Sequence, residues 1–187
     1  SRWDRVVYDS LVYVQKLSNI LLFDINYSKL YSMNPFHYLY LGKWFFETRF
    51  LGKEKPLQTV LFITNRCNLQ CKHCSVYNNV SPQDMTYSDV IEHLKYSYSL
   101  GSRFVDFEGG EPTLWRLEGK TVNDLIDDAK KIGFYSCTIT TNAQRDFSNS
   151  HADSIWVSMD GVGKYHDAVR GEGAFARLEK NIAASGH

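Results

Sequence analysis

Three of the four cysteines, Cys67, Cys71 and Cys74, crowd into the segment Thr64-Asn-Arg-Cys67-Asn-Leu-Gln-Cys71-Lys-His-Cys74. That spacing lets three thiolates converge on one centre from a single loop. Thiolate sulfur suits zinc or iron-sulfur clusters, and geometry decides between them. A structural zinc site needs a fourth ligand of the same reach. His73 abuts Cys74 and is poorly placed for it, and Cys137 sits in an apolar run whose side-chain direction the sequence does not fix. A cubane cluster normally takes four cysteines, so three leave one iron open, and an open metal position is where chemistry happens. Spacing alone leaves iron-sulfur and zinc equally open, and a zinc-binding interaction module is the rival to an enzyme. Further on, Gly109 and Gly110 stand side by side, as suits a backbone that approaches a ligand closely or takes positive φ. A strand-ending turn is their bland alternative. Cys137, alternating with apolar neighbours, reads as a packed, inert thiol.

Charge offers no lead. Lysine plus arginine number 21 and aspartate plus glutamate 21, so no strong field favours nucleic acid or an acidic surface. Clustered cysteines point to a metal site in a reducing, cytoplasmic compartment, away from a disulfide framework. No apolar run reaches the roughly 20 residues that cross a bilayer, and the start lacks the apolar core of a signal peptide. Ser1 is not an initiator methionine, which leaves room for residues upstream and for an N-terminal anchor among them.

The elements that must position these residues follow a regular order. Trp3, Val7, Leu11, Val14, Leu17 and Leu21 form one stripe of a helix over 3–22. Asn34 and Pro35 supply an N-cap and first turn for a second helix to about Phe50, crowded with Tyr38, Tyr40, Trp44, Phe45 and Phe46. These aromatics suit a lipid interface or a protein surface. Asp4, Asp9, Asp24 and Glu47 interrupt any basic face, which favours protein packing and makes peripheral membrane contact the second choice. Gly52 to Pro56 is a charged linker, so residues 1–55 read as a helical aromatic-rich extension and residues 56–187 as the core.

Within the core, short apolar runs alternate with amphipathic helices, the mark of βα units and a parallel sheet. The expected strands are Thr59 to Thr64, Phe104 to Phe107, Phe134 to Thr140 and Ile155 to Met159. Thr86 with Asp89, and Thr121 with Asp124, look like capping boxes, and Gly101 and Gly133 like helix stops. A last helix starts near Gly173. Such strands share one hand of connection, so their C-terminal ends face one side, where all the motifs lie. Four strands cannot close a barrel. The fold class is therefore α/β, a partial (βα) TIM-type barrel of four units with an N-terminal helical extension, incomplete at its C-terminus.

The cysteine segment resembles the signature of the radical S-adenosylmethionine superfamily, with His73 before the last cysteine. Glu108-Gly109-Gly110-Glu111-Pro112 is similar to the family's glycine-glycine-glutamate-proline segment. Thr141-Asn142, Ser158-Met-Asp160-Gly161, His166-Asp167 and Arg170-Gly171 follow in the order seen in members that modify peptides and cofactors. The resemblance covers residues 57 to 182. It implies that Cys67, Cys71 and Cys74 hold a 4Fe-4S cluster whose fourth iron is chelated by S-adenosylmethionine. Reductive cleavage of that cofactor then yields a radical that abstracts hydrogen from substrate, the hard chemistry being the cofactor's.

By the same resemblance Gly109, Gly110, Glu111 and Pro112 meet or shape the methionine end, and His73 lies near the adenine. Asn142, Ser158 and Asp160 hydrogen-bond ribose or the methionine carboxylate, while Arg170 pairs with that carboxylate. Each has a plainer reading: a solvated histidine, turn capping by Asn, Ser and Asp, and a surface ion pair for Arg170. Glu108 could face the cavity or the outside of the barrel. No catalytic residue is named. The implied partners are a substrate, with a peptide the first choice and a lipid or small cofactor the second, and an electron donor such as a flavodoxin or ferredoxin.

Overall fold

A computed structural model describes residues 35–74, 76 and 83–185. The expected helix over 3–22 and the Asn34 cap lie outside them. The chain divides into two compact units, 1–43 and 44–187. Helix α1, Pro35–Phe50, passes from one to the other. Its second half is tied to the linker of the larger unit, since Trp44 Nε1 donates to Lys55 O at 2.9 Å and Lys53 and Lys55 both reach Glu47. Those two ammonium groups hold the Glu47 carboxyl down at about 2. Phe45, Phe46 and Phe50 remain exposed.

Four parallel strands make the sheet: β1 (Gln58–Thr64), β2 (Phe104–Gly109), β5 (Ser136–Thr141) and β6 (Ser154–Val157), in the order β1-β2-β5-β6. The chain thus adds each strand beside the last, as right-handed crossovers do. Two helices supply the first crossovers. In α2 (Tyr87–Leu100) Thr86 Oγ1 caps the Asp89 N–H at 3.2 Å, and Gly101 ends the helix in the left-handed region at φ 112°. Only glycine enters that region without steric cost. In α3 (Val122–Ile132) the Asp124 carboxylate takes the N–H and hydroxyl of Thr121.

The period of two along each strand sorts side chains between the faces. Ile63, Val105, Phe107, Cys137 and Ile139 point to the helix side and join Val90, Leu94, Leu125, Ile126 and Ala129 in one buried core. The alternate residues, Val60, Phe62, Asp106, Glu108, Thr138, Thr140 and Trp156, occupy the inner face. Further elements among the described residues are a hairpin, two helices and the 3₁₀ turn Pro112–Leu114. A hairpin joins β3 (Arg116–Leu117) to β4 (Lys120–Thr121) through Glu118 and Gly119, both at positive φ, the geometry of a type I′ turn. Helix α4 (Lys164–Arg170) and helix α5 (Ala174–Ala184) follow β6. Among the described residues no helix is long and apolar enough to cross a membrane.

Candidate functional site

At the C-terminal ends of the strands lies a cavity of about 310 Å³. Its walls include Cys67, Cys71 and Cys74 with His73, Glu108, Gly109, Gly110, Asn142, Ser158 and Arg170. Strands β1, β2, β5 and β6 thus each deliver a segment to one place, as the ends of parallel strands in such folds do.

The cysteine loop leaves β1 at Thr64 and is held from three sides. Beneath it, Thr64 Oγ1 donates to Asp84 Oδ1 at 2.6 Å, and Arg66 spans Asp84 and the Leu114 carbonyl. Beside it, the end of β2 continues as backbone pairing. Gly110 N donates to Thr64 O and Glu111 N to Arg66 O, both at 2.8 Å. The approach is so close that a Cβ on Gly109 would sit 2.1 Å from Thr64 O, and one on Gly110 2.2 Å from Arg66 O. The missing side chains therefore make room first for the cysteine loop itself, a constraint that the sequence reading assigned to a ligand. On the third side, Lys72 N donates to Val169 O of α4 at 3.0 Å.

Glu111 fastens the β2 turn to the end of β5. Its carboxylate, 1 % exposed, accepts from Thr113 N and Oγ1, from Thr141 Oγ1 and from Asn142 N, at 2.7 to 3.1 Å. Four donors replace the water a buried carboxylate loses. Pro112 opens the short 3₁₀ turn Pro112–Leu114 that aims this carboxylate. Asn142, fixed through its own N–H, directs Nδ2 to Asn68 Oδ1 at 2.8 Å and to Cys67 Sγ at 3.6 Å. The next residue, Ala143, is buried and held at φ 55°. Such strain persists only where surroundings enforce it. Here Thr141 Oγ1 and Asn181 Nδ2 take up its N–H and carbonyl.

Arg170 does not stand free to receive a carboxylate, because its Nε donates to Asp160 Oδ2. Asp160 Oδ1 is 4.0 Å from His73 Nε2, and Asp160 N donates to His166 Nδ1. Asp160, Arg170, His166 and His73 therefore form one group against the Cys71–Cys74 stretch. His166 is buried with Nε2 unbonded, and burial lowers its proton affinity. Ser158 enters the cavity wall with its N–H on Thr141 O. Cys137 is fully buried among the core helices, its thiol pushed up to about 12 by loss of water.

The cysteine set fits a cluster by its chemistry. Burial raises the thiols of Cys67 and Cys71, while the Leu69 N–H and Asn142 counter it at Cys67 and the Arg170 charge counters it at Cys71. A positively charged metal centre is what turns such thiols into thiolates. Among the described residues no three His, Cys, Asp or Glu side chains close on a single ion. Sequence reasoning missed Asp84 and Arg66, which hold the loop, and the buried Asp106. Neither Asp carries a motif, and only their place in the fold marks them.

Comparison with known proteins agrees with this arrangement. The family model described as the radical SAM superfamily matches residues 61–185. A PqqA peptide cyclase of Bradyrhizobium diazoefficiens is 35 % identical over 115 residues, covering 57 % of this chain and 29 % of that protein. Among solved structures, Streptococcus suis SuiB bound to its precursor peptide SuiA matches with a TM-score of 0.55 at 20 % identity, over 96 % of this chain and 43 % of SuiB. The anSMEcpe enzyme with bound AdoMet and Cp18Cys peptide matches at 0.53 and 23 %, over 68 % and 39 %. The chain thus spans less than half the length of each of these proteins, and the two structures speak for the fold alone. With the family model covering most of the chain, from β1 to α5, this chain belongs to the radical SAM superfamily of enzymes, whose members bind a 4Fe-4S cluster and S-adenosylmethionine.

Proposed function

We propose that this chain binds a 4Fe-4S cluster and S-adenosylmethionine in the cavity at the strand ends and belongs to an enzyme that modifies a peptide. The observation that carries the reading is the meeting of three thiols, a double glycine and polar strand-end residues on one cavity. Cys67, Cys71 and Cys74 would hold the cluster. When bound, the pair supplies a one-electron reductive cleavage of S-adenosylmethionine that delivers a 5′-deoxyadenosyl radical for hydrogen abstraction.

The chain's own residues bind, orient and shield. Gly109 and Gly110 keep the cavity wall flush with the cysteine loop, and their backbone groups would meet the methionine end. Asn142 steadies Cys67 from the side through its Nδ2–H. Asp160, held by Arg170 and by the Asp160 N–H bond to His166, and Ser158 beside it, offer acceptors for ribose hydroxyls. His73 lines the same wall and would lie near the adenine. Arg170 acts on this wall through Asp160, which its Nε holds.

A peptide substrate is supported by the peptide-cyclase relative and by the precursor peptide bound to SuiB. The electron comes from a small carrier such as a flavodoxin or ferredoxin, in a reducing cytoplasmic setting that keeps three thiols available. The test is metal and sulfide analysis of the full-length protein purified without oxygen. Iron with matching acid-labile sulfide is expected. Zinc without sulfide would replace this reading with that of a zinc-binding interaction module.

A further inference from the structure

The inner face of the sheet carries a row that none of the cofactor roles uses. Phe62 on β1 is in register with Glu108 on β2, and Thr140 on β5 with Trp156 on β6. Phe107 is in register with Ile139, so the next residues, Glu108 and Thr140, are neighbours across the middle of the row. Phe62, Glu108 and Thr140 line the cavity together with the three cysteines. The row thus runs Phe62, Glu108, Thr140, Trp156, so the acid has an aromatic side chain beside it on one strand and Thr140 on the other, with Trp156 one strand further.

Below the row lies Asp106, two residues before Glu108 on the same strand and face, 6 % exposed. Its carboxylate accepts from Thr140 Oγ1 at 3.0 and 3.2 Å. Burial, together with the charge of Glu108, pushes it up to about 6 against the pull of Thr140. Among the described residues no lysine, arginine or histidine forms an ion pair with Asp106 or Glu108. Arg170, the cation of the same cavity wall, is already on Asp160. A negative charge partly withdrawn from water and left without a cation is costly, and a cation arriving with a ligand removes that cost.

We infer that this row binds an organic cation on an apolar stem, an ammonium or guanidinium group that Glu108 receives while Phe62, beside it in the cavity wall, packs on its stem. Carboxylate and aromatic faces together are the chemistry that recognises such groups, by charge-assisted hydrogen bonds and by cation–π attraction. Long cationic side chains of a peptide have this form, with an apolar stem and a charged head. A free alkylamine has it too. The inference rests on the proposed reading of the cavity as the reaction site and names the feature of the substrate that is held there. Glu108 would be the specificity-determining residue.

The test uses the full-length protein, reconstituted with its cluster and saturated with S-adenosylmethionine, in titration calorimetry. The probes are two acetylated and amidated tripeptides, glycine-lysine-glycine and glycine-norleucine-glycine, together with n-pentylamine. The lysine peptide should bind about tenfold or more tightly than the norleucine peptide, the span expected of one charge-assisted hydrogen bond. Glu108→Gln should erase that preference. Binding of n-pentylamine as tight as that of the lysine peptide assigns the site to a small amine, and weaker binding assigns it to a peptide residue. Either supports the cation site. Equal binding of the two peptides by the unaltered protein overturns the inference without need of any variant, and so does a preference that survives in Glu108→Gln. Failure of the reaction-site reading looks different: the unaltered protein forms no 5′-deoxyadenosine, whatever the peptides do.

Discussion

Replacing Gly110 by alanine should damage the cysteine loop before it touches any ligand. The new methyl group would stand 2.2 Å from Arg66 O, 2.6 Å from Arg66 C and 2.8 Å from Asn65 O. Carbon contacts settle at about 3.5–4.0 Å, so the β2 end and the loop must part by roughly 1 Å or more. The bonds Gly110 N to Thr64 O and Glu111 N to Arg66 O, now 2.8 Å each, would then leave hydrogen-bonding range. Two backbone bonds at about 1 kcal/mol each, with about 1–3 kcal/mol for overpacking, give a loss of about 3–5 kcal/mol. Gly119→Ala is the matched control. Gly119 has φ 76°, but a methyl group there would meet nothing within 4 Å, so strain alone applies, at about 1–2 kcal/mol. Urea unfolding of full-length protein measures both losses, and iron per chain after anaerobic reconstitution reads the loop. Gly110→Ala should lose iron as well as stability, while Gly119→Ala should keep its iron. Full iron content in Gly110→Ala, with stability within about 1 kcal/mol of the unaltered protein, would refute the steric argument.

Glu111→Gln places an amide NH₂ against one of four donors, so at least one buried group loses its partner, and the urea midpoint should fall by an amount equivalent to about 1–3 kcal/mol. Unchanged stability would mean that the carboxylate network is not what holds the strand ends. Asp106 has its folded value raised from 3.8 to about 6 by burial, so the folded state binds its proton more tightly than the unfolded state. Its contribution is therefore fully present below about pH 4 and is lost as pH rises through about 6. Asp106→Asn should remove this component, and urea midpoints from pH 4 to 8 should show the variant gaining on the unaltered protein as pH rises. Parallel curves would sink the assignment. In cluster-free protein, iodoacetamide followed by mass spectrometry should modify Cys67, Cys71 and Cys74 before Cys137, whose thiol is buried and held at about 12. Early labelling of Cys137 would show that the β5 core is open.

The strands were legible because each is a short β-branched or aromatic run closed by a turn, and the capping threonines and stop glycines bounded α2 and α3 correctly. The hairpin at Arg116–Thr121 escaped notice because its strands have two residues each and its turn is Glu118-Gly119, not the asparagine-glycine pair that signals such turns. Of the site, the cysteines and the double glycine were legible as positions that needed convergence and close approach. What the glycines approach was not, since the Thr64 and Arg66 carbonyls reach them only after β1 and β2 pair. For Arg170 the sequence offered a ligand carboxylate or an ion pair without naming a partner, and folding of α4 against the β6 end supplies Asp160 as that partner. Asp106 and Glu108 have no motif of their own. Their meaning comes from sharing the inner face of β2, where among the described residues no cation forms an ion pair with either.

The central claim is that this cavity, in the full-length protein, cleaves S-adenosylmethionine reductively. The most direct measurement is chromatography of the products after anaerobic reconstitution, with dithionite as reductant and no peptide added. The account predicts 5′-deoxyadenosine and methionine from the unaltered protein and none when Cys67, Cys71 or Cys74 is replaced singly by alanine, while Cys137→Ala still yields both. Cleavage that survives loss of Cys71, or iron that is lost with Cys137 alone, would contradict it.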